Sequence, residues 1–411
     1  MKRLIQSLAR RERPDLSAAL ARGRLACLQP LKPYRYGDRP MVSHLQAVLD
    51  ELLSDPPPEA EPDDPECAPW WSPEPAVSLA AVLLHVDLPE VAEPEGGLAP
   101  HAQQSAARTR EILREADCPF TIREHAVALV RNRRTPASLV GSGALAETYM
   151  EYACALDLRA LYCLCRAEAR AAGDDDEMAR AEAFREHVDG LGVFVRPPLP
   201  PLTEEGAKEL GYTDAASRHR ARNALRYFRL VARMAEPEWH RDRLRRELER
   251  PPCRLHLLVG PAGSGKTSWA LDALSETVIV SSDRMRRELT GDPRDQSQNY
   301  LVFQRCMDRV REELHRGREV TFDATNYSRD LRTMPLQAGR WSGAEIVSYF
   351  FDVGLEEALK RNRSRDRRVP EPVIRRHYRG LEPPALHEAD RHVVVAPDGE
   401  TSTYWPVPEL R

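Results

Sequence analysis

No stretch of this chain is long and apolar enough to enter a bilayer. The longest run, AVSLAAVLLHV at 76–86, falls short of the ~20 residues a membrane helix needs and reads instead as a buried helix. No signal peptide is expected either, because the opening MKRLIQSLARRERPDL is interrupted by Gln, Ser and Arg before an apolar core can build. Charge of one sign is also lacking: the formal net is -4 from 60 Lys+Arg and 64 Asp+Glu, with a pI near 6.3. No global field therefore attracts nucleic acid, and any such surface must be local. The eight cysteines are scattered, and the close pair Cys163 and Cys165 lacks the two-residue gap of a zinc knuckle or redox motif. A reduced, cytoplasmic protein is the expectation. No internal repeat is visible.

What is present falls into two textures. Two Pro-rich stretches punctuate the 411 residues, at 54–75 and 195–206. The first is acidic and aperiodic and reads as a surface loop, and the second separates two domains. Between 40 and 190, Ala, Leu and Arg dominate and apolar residues recur at three and four, the pattern of an all-helical domain. After about 250, short β-branched or aromatic runs appear at LHLLVG, TVIVSS, EVTFDA, EIVSYFFDV and RHVVVA, with helix-like segments between most of them. That alternation predicts a parallel sheet covered by helices. The expected organisation is a helical domain over 1–195, a linker with Arg-rich connecting helices over 196–250, and an α/β domain over 251–411.

The segment GPAGSGKTS, Gly260 to Ser268, follows the strand-like RLHLLV and precedes the helix-like SWALDAL. It fits GxxxxGK[ST] in the strand, loop, helix order that the motif demands. Gly260, Gly263 and Gly265 let backbone N–H groups turn inward around phosphate oxygens beside Ser264 and Ser268. Lys266 reaches the β and γ oxygens, and Thr267 ligates magnesium. The second strand leads to Asp283 and Arg286, three apart on one helix face: a carboxylate able to accept a hydroxyl proton and a guanidinium able to grip an anionic acceptor. A helix cap is the alternative role for Asp283. The third strand ends at Asp323, Thr325 and Asn326, at the carboxyl edge where ligands bind in such sheets, and Asp323 is placed to orient the magnesium shell. Arg361 and Arg365, four apart, read as one helix face of a lid closing over ATP. For Arg367, Arg368, Arg375 and Arg376, lid chemistry and an ordinary solvated helix are both open.

These motifs together, GPAGSGKTS, SSDRMRREL, FDATN, the later Arg332 and RNRSRDRRVP, resemble the 5'-hydroxyl polynucleotide kinases across residues 250–390. The resemblance implies ATP and magnesium on Lys266 and Thr267, Asp283 as general base, Arg286 on the phosphate beside the accepting 5' hydroxyl, and Arg365 as the lid arginine. The partners it implies are 5'-hydroxyl ends of RNA or DNA and a ligase acting downstream.

The first 195 residues, through YRYGDRPMVSHLQAVLDEL, LAAVLLHVDLPE, the segment from His101 to Pro136, and DLRALYCLCRAEARAAG, resemble HD-domain phosphohydrolases. More closely, the whole chain resembles bacterial RNA end-healing enzymes that fuse such a domain to a polynucleotide kinase. His44, His85 and His101 stand at that family's histidine positions and Glu168 at its late acid. The Asp expected after His85 is Val86, and Asp87 is read as lying about 100° further round the helix. Arg133 stands where a ligand histidine is expected, and a permanent cation there repels a metal. The expectation is a retained helical scaffold without phosphoesterase activity; a working metal-dependent 2'-phosphatase or 2',3'-cyclic phosphodiesterase is the alternative. For the kinase part, the alternatives are a nucleoside or other small-molecule kinase and a nucleotide-dependent switch.

Overall fold

The computed structural model describes the chain except residues 11, 23–24, 37, 58–73, 88–98, 195–196, 199, 235–236, 250–251, 293–294, 366 and 406–411. Most of the acidic Pro-rich stretch read as a loop therefore lies outside the described residues. The chain divides into two compact units, Met1–Pro198 and Leu199–Arg411. Among the described residues no helix is long and apolar enough to cross a membrane.

The first unit is helical, as its periodicity predicts. Helix Met41–Ser54 packs on Leu158–Ala172, and Glu74–Leu83 packs on Phe120–Asn132. Their apolar faces (Leu45, Val48 and Leu49 from the first, Leu161 and Leu164 from the second) are wholly buried. Local chemistry sets the ends: Asp157 accepts a hydrogen bond from Ala160 N, and Gly173, at φ 69°, terminates the same helix in the left-handed region. The buried Arg110 guanidinium donates to both oxygens of Glu124, which also accepts from Arg123. A two-residue hairpin, β1 (Arg35–Tyr36) with β2 (Arg39–Pro40), leads into helix Met41–Ser54.

The second unit is built on a six-stranded sheet in the order β4-β5-β3-β6-β7-β8. Its strands are β3 (Arg254–Val259), β4 (Val278–Ser281), β5 (Val320–Asp323), β6 (Glu345–Phe351), β7 (Arg391–Val395) and β8 (Thr401–Trp405). The five strands expected from sequence pair in parallel, and β8 adds an antiparallel edge on β7. Leu255, Leu257, Leu258 and Val259 in β3 and Ile346, Val347 and Phe350 in β6 are buried, as strands covered on both faces require. Because β3 lies between β5 and β6, the chain leaves it toward one side of the sheet and later crosses to the other. This is the switch point where ligands collect in open parallel sheets.

Residues 199–250, read as linker and connecting helices, belong to this second unit. Helices Ala215–Leu230 and Pro237–Leu248 are tied to it by Asn223, which donates to Ala389 O, and by Arg243, which donates to Arg340 O.

Candidate active site

The loop from Gly260 to Thr267 leaves the carboxyl end of β3 and opens helix Lys266–Ala273. Gly260 N donates to Thr325 O at 2.9 Å, so the loop is laced to the end of β5. Gly263 and Gly265 adopt φ of 86° and 94°, and a Cβ at Gly263 would run into the carbonyl oxygen of Ala358. Only glycine fits there. The first turn of the helix presents backbone N–H groups with their partial positive charge, a ready anion site.

Lys266 is buried, its ammonium folded back onto Gly260 O at 2.9 Å, Pro261 O at 2.7 Å and Ser264 Oγ at 3.3 Å. Burial lowers its pKa to about 8; Asp323 opposes the shift and the charge of Arg365 adds to it. Thr267 Oγ1 donates to Asp323 Oδ2 at 2.8 Å. Burial raises the Asp323 pKa, against the pull of Lys266. A hydroxyl and a buried carboxylate side by side at the phosphate loop form an oxygen-only donor set suited to a hard dication, so Thr267 and Asp323 fit magnesium.

Asp283 and Arg286 lie in helix Ser282–Thr290, which follows β4. The N-cap is Ser281, so Asp283 is not the cap that its residue type also allowed. Its carboxylate meets two guanidinium groups: Oδ1 accepts from Arg286 Nη1 at 2.9 Å, and Oδ2 lies 2.8 Å from Arg367 Nη1. Arg286 is 5% exposed and its Nη2 donates to Asn299 Oδ1 at 2.9 Å, which fixes the guanidinium. Asp283 itself is half exposed.

The lid segment differs from its sequence reading. Helix Leu355–Arg363 ends at Ser364, so Arg365 lies in the turn beyond it and shares no helix face with Arg361. Arg361 is a brace: its guanidinium donates to Ser264 O at 3.2 Å and Pro397 O at 2.8 Å, and to Glu357. Those carbonyls take donors expected on ATP. Arg365 is exposed, and its charge reaches Lys266. Arg332 is fully buried on Glu388, Asn326 O and Glu382 O, and Asn326 donates to Leu258 O. Both hold the loop after β5. Arg375 pairs with Glu371 on its own helix, an ordinary surface pair.

Three residues at the site were not singled out by sequence reasoning: Asn299, Arg367 as a partner of Asp283, and His377. His377 Nδ1 lies 3.5 Å from Ala262 N, its ring stacks on Tyr327, and burial, with Lys266 next, lowers its pKa to about 4. Only Arg367 carried a signal, its place in the basic run.

In the first unit, His44, His85 and Glu168 are buried with ligand-capable atoms within 4.8 Å of one another. Tyr36 stacks on His44 with ring centroids 4.0 Å apart. His101 lies in helix Ala99–Glu115, with its side chain outside the described residues. Helix Glu74–Leu83 ends before His85, so Asp87 is not turned 100° round a helix as expected; it sits in a turn and accepts from Ser105 Oγ.

Arg133 enters this cluster, donating to Leu84 O at 2.7 Å and, through the same nitrogen, to His85 Nδ1 at 3.1 Å. A guanidinium only donates, so Nδ1 accepts and the proton of the neutral imidazole sits on Nε2. That nitrogen faces Glu168 Oε1 at 3.5 Å. Burial lowers the His85 pKa, with the contact to Glu168 opposing and Arg133 reinforcing. For Glu168, burial raises the pKa, but His85 and Arg133 outweigh it and hold the carboxyl at about 2. A metal would need the Nε2 lone pair, and metal-bound imidazoles donate their other N–H outward. Here a donor occupies that outer position, so among the described residues His44, His85 and Glu168 do not fit a metal ion.

Residues 255–384 match the family described as an AAA domain. Two similar solved structures are an unliganded sugar kinase from a Janibacter species, with 17% identity over 36% of this chain and 88% of that one at a TM-score of 0.29, and a gluconokinase from Sinorhizobium meliloti, with 17% identity over 36% and 83% at a TM-score of 0.27. No curated protein sequence matches the chain. The second unit thus carries a phosphate-binding loop on a mainly parallel sheet, in a region that matches an AAA domain, and the first is helical.

Proposed function

We propose that the second unit transfers the γ-phosphate of ATP to the 5'-hydroxyl of a polynucleotide end, and that the first unit is a metal-free helical relative of the HD phosphohydrolases. The observation that carries the kinase reading is Asp283, a half-exposed carboxylate held between Arg286 and Arg367 at the carboxyl edge of the sheet. A hydrolytic switch needs a positioned water. A carboxylate flanked by two cations instead suits an acceptor with a hydroxyl to deprotonate and an anion to hold.

In this reading the amides of the Gly260–Thr267 loop receive the β and γ phosphates. Lys266 exchanges the carbonyls of Gly260 and Pro261 for phosphate oxygens. Magnesium, held by Thr267 with Asp323 orienting its water shell, supplies charge neutralisation on the triphosphate when bound. Asp283 accepts the proton of the 5' hydroxyl as its oxygen bonds to the γ phosphorus and the bond to ADP breaks. Arg286, fixed by Asn299, grips the acceptor's neighbouring phosphate, and Arg365 offsets charge on the transferring group. In the first unit the Arg133 guanidinium holds His85 from its Nδ1 side, and His44, His85 and Glu168 remain as a buried polar cluster of the scaffold.

The test follows labelled γ-phosphate from ATP to a 5'-hydroxyl oligonucleotide, a nucleoside, a sugar acid and water. The expected product is the 5'-phosphorylated oligonucleotide. Transfer to the sugar acid with none to the oligonucleotide would assign a small-molecule kinase, and release to water alone a switch.

A further inference from the structure

We propose that His377 is a nucleotide-binding residue that donates from Nε2 to an oxygen of the γ-phosphate, and so sets the preference of this site for a nucleoside triphosphate over a diphosphate. The inference rests on the ATP half of the proposed function and needs nothing from the acceptor half. Helix Glu371–Arg379 is seated directly on the phosphate loop, because its Ile374 and Tyr378 pack in one buried cluster with Ala262 of that loop and with Ala358 and Leu359. His377, between them in the chain, turns Nδ1 to the Ala262 amide at 3.5 Å. The ammonium of Lys266 is held on the two residues before Ala262, at the carbonyls of Gly260 and Pro261, and its charge reaches His377. The lysine of such a loop is the group that reaches the outer phosphates. The imidazole therefore stands at the γ-phosphate end of the loop.

The chemistry of the ring follows from its partners. A backbone amide only donates, so Nδ1 faces it as acceptor and the proton of the neutral imidazole sits on Nε2. Burial, then the charge of Lys266, holds the pKa at about 4, so the ring is neutral at pH 7 and adds no like charge beside the lysine. Among the described residues Nε2 has no hydrogen-bond partner. The two nitrogens of an imidazole are one carbon apart, so an unused donor stands beside the loop. The ring is also held in place. It stacks on Tyr327 with centroids 4.5 Å apart. Tyr327 in turn closes against Gly380, where a Cβ would lie 2.7 Å from its Cε2, and its carbonyl accepts from Glu382 N at 2.8 Å. A γ-phosphate brings anionic acceptors to this donor, and a bond to a charged oxygen is the stronger kind. A diphosphate lacks the group that would reach it.

The experiment measures the affinities of ATP and of ADP, each with magnesium, by calorimetry on three full-length proteins. These are the wild type, His377→Phe, which keeps a ring on Tyr327 and removes both nitrogens, and His377→Gln, whose amide nitrogen reaches the place of Nε2. The wild type should bind ATP more tightly than ADP. His377→Phe should lose ATP affinity on the order of 10- to 100-fold, the worth of one hydrogen bond to a charged group. Its ADP affinity should hold, which also shows that the variant has folded, and His377→Gln should recover part of the loss. Equal losses for ATP and ADP would make His377 a prop of the loop and overturn the inference. So would a wild type that binds both alike, or a His377→Phe that keeps its ATP affinity. A wild type that loses ATP affinity selectively on His377→Phe yet phosphorylates no oligonucleotide would support this inference and defeat the polynucleotide reading alone.

Discussion

Replacing Arg133 by methionine keeps much of its bulk and removes its charge, and the consequences can be worked from the cluster it enters. In the native protein the guanidinium donates to Leu84 O and His85 Nδ1 and helps hold Glu168 at about 2, below its ordinary 4.5. Without it, a buried carboxylate faces two imidazoles whose pKa values are both lowered, His44 to about 4, mainly by burial. Glu168 keeps its contact with His85, so the expected loss at pH 7 is that of leaving Leu84 O and His85 Nδ1 without their donor, about 1–3 kcal/mol, or roughly 10- to 100-fold in local opening. Hydrogen exchange in helix Leu158–Ala172, which carries Glu168, reads this directly. The pH dependence has a definite sign. Wild-type Glu168, with its pKa depressed, contributes stability above 4.5 that is lost as pH falls toward 2, whereas the variant's Glu168, without the Arg133 charge, is depressed less and contributes less. The gap between the two proteins should thus be widest at neutral pH and close in acid. The variant also frees His85 to carry its proton on Nδ1, so added zinc should slow exchange in the variant and leave the wild type unchanged. Stoichiometric metal in purified wild type that is lost on His85→Ala, or a stability gap that ignores pH, would refute the reasoning.

Other substitutions probe the phosphate site. Gly263→Ala forces a Cβ against Ala358 O at a positive φ, so the loop must shift; a loss of about 1–3 kcal/mol in stability and a clear fall in ATP affinity are expected, by thermal melting and calorimetry. Arg365→Ala should lower kcat on the order of 10- to 1,000-fold with ATP affinity retained, since its contribution grows as charge develops; weaker ATP binding at unchanged kcat would remove it from that role. Arg286→Gln should reduce kcat/KM for an oligonucleotide far more than for a nucleoside, and equal losses would place Arg286 on ATP instead.

The features legible in the sequence are the ones made by neighbours in the chain. The phosphate loop, its flanking strand and helix, and the Asp283–Arg286 pair each depend on a few consecutive residues, and the apolar runs of β3 to β7 announced buried strands. Contacts across the fold left no such trace. Arg367 reaches Asp283 only because the helix after β4 and the segment after helix Leu355–Arg363 meet across the fold, and Asn299 meets Arg286 through helix packing. The edge strand β8, TSTYW, has no apolar face to reveal it. Helix ends caused the two angular errors: one helix stops at Arg363, before Arg365, and another at Leu83, before His85 and Asp87. The Arg-rich 207–250 segment reads as a connector in isolation because its ties, Asn223 to Ala389 and Arg243 to Arg340, lie far along the chain. Arg133 was read as a cation at a ligand position, but its effect on the His85 tautomer required the 3.1 Å contact to Nδ1.

The central claim, that Asp283 deprotonates a 5' hydroxyl for attack on ATP, is tested most directly by single-turnover transfer of labelled γ-phosphate to a 5'-hydroxyl oligonucleotide, wild type against Asp283→Asn, with bound ATP saturating. Asparagine keeps the shape between Arg286 and Arg367 but cannot take the proton, so the transfer rate should fall on the order of 100- to 10,000-fold while ATP affinity stays. Transfer by Asp283→Asn at the wild-type rate would contradict the account.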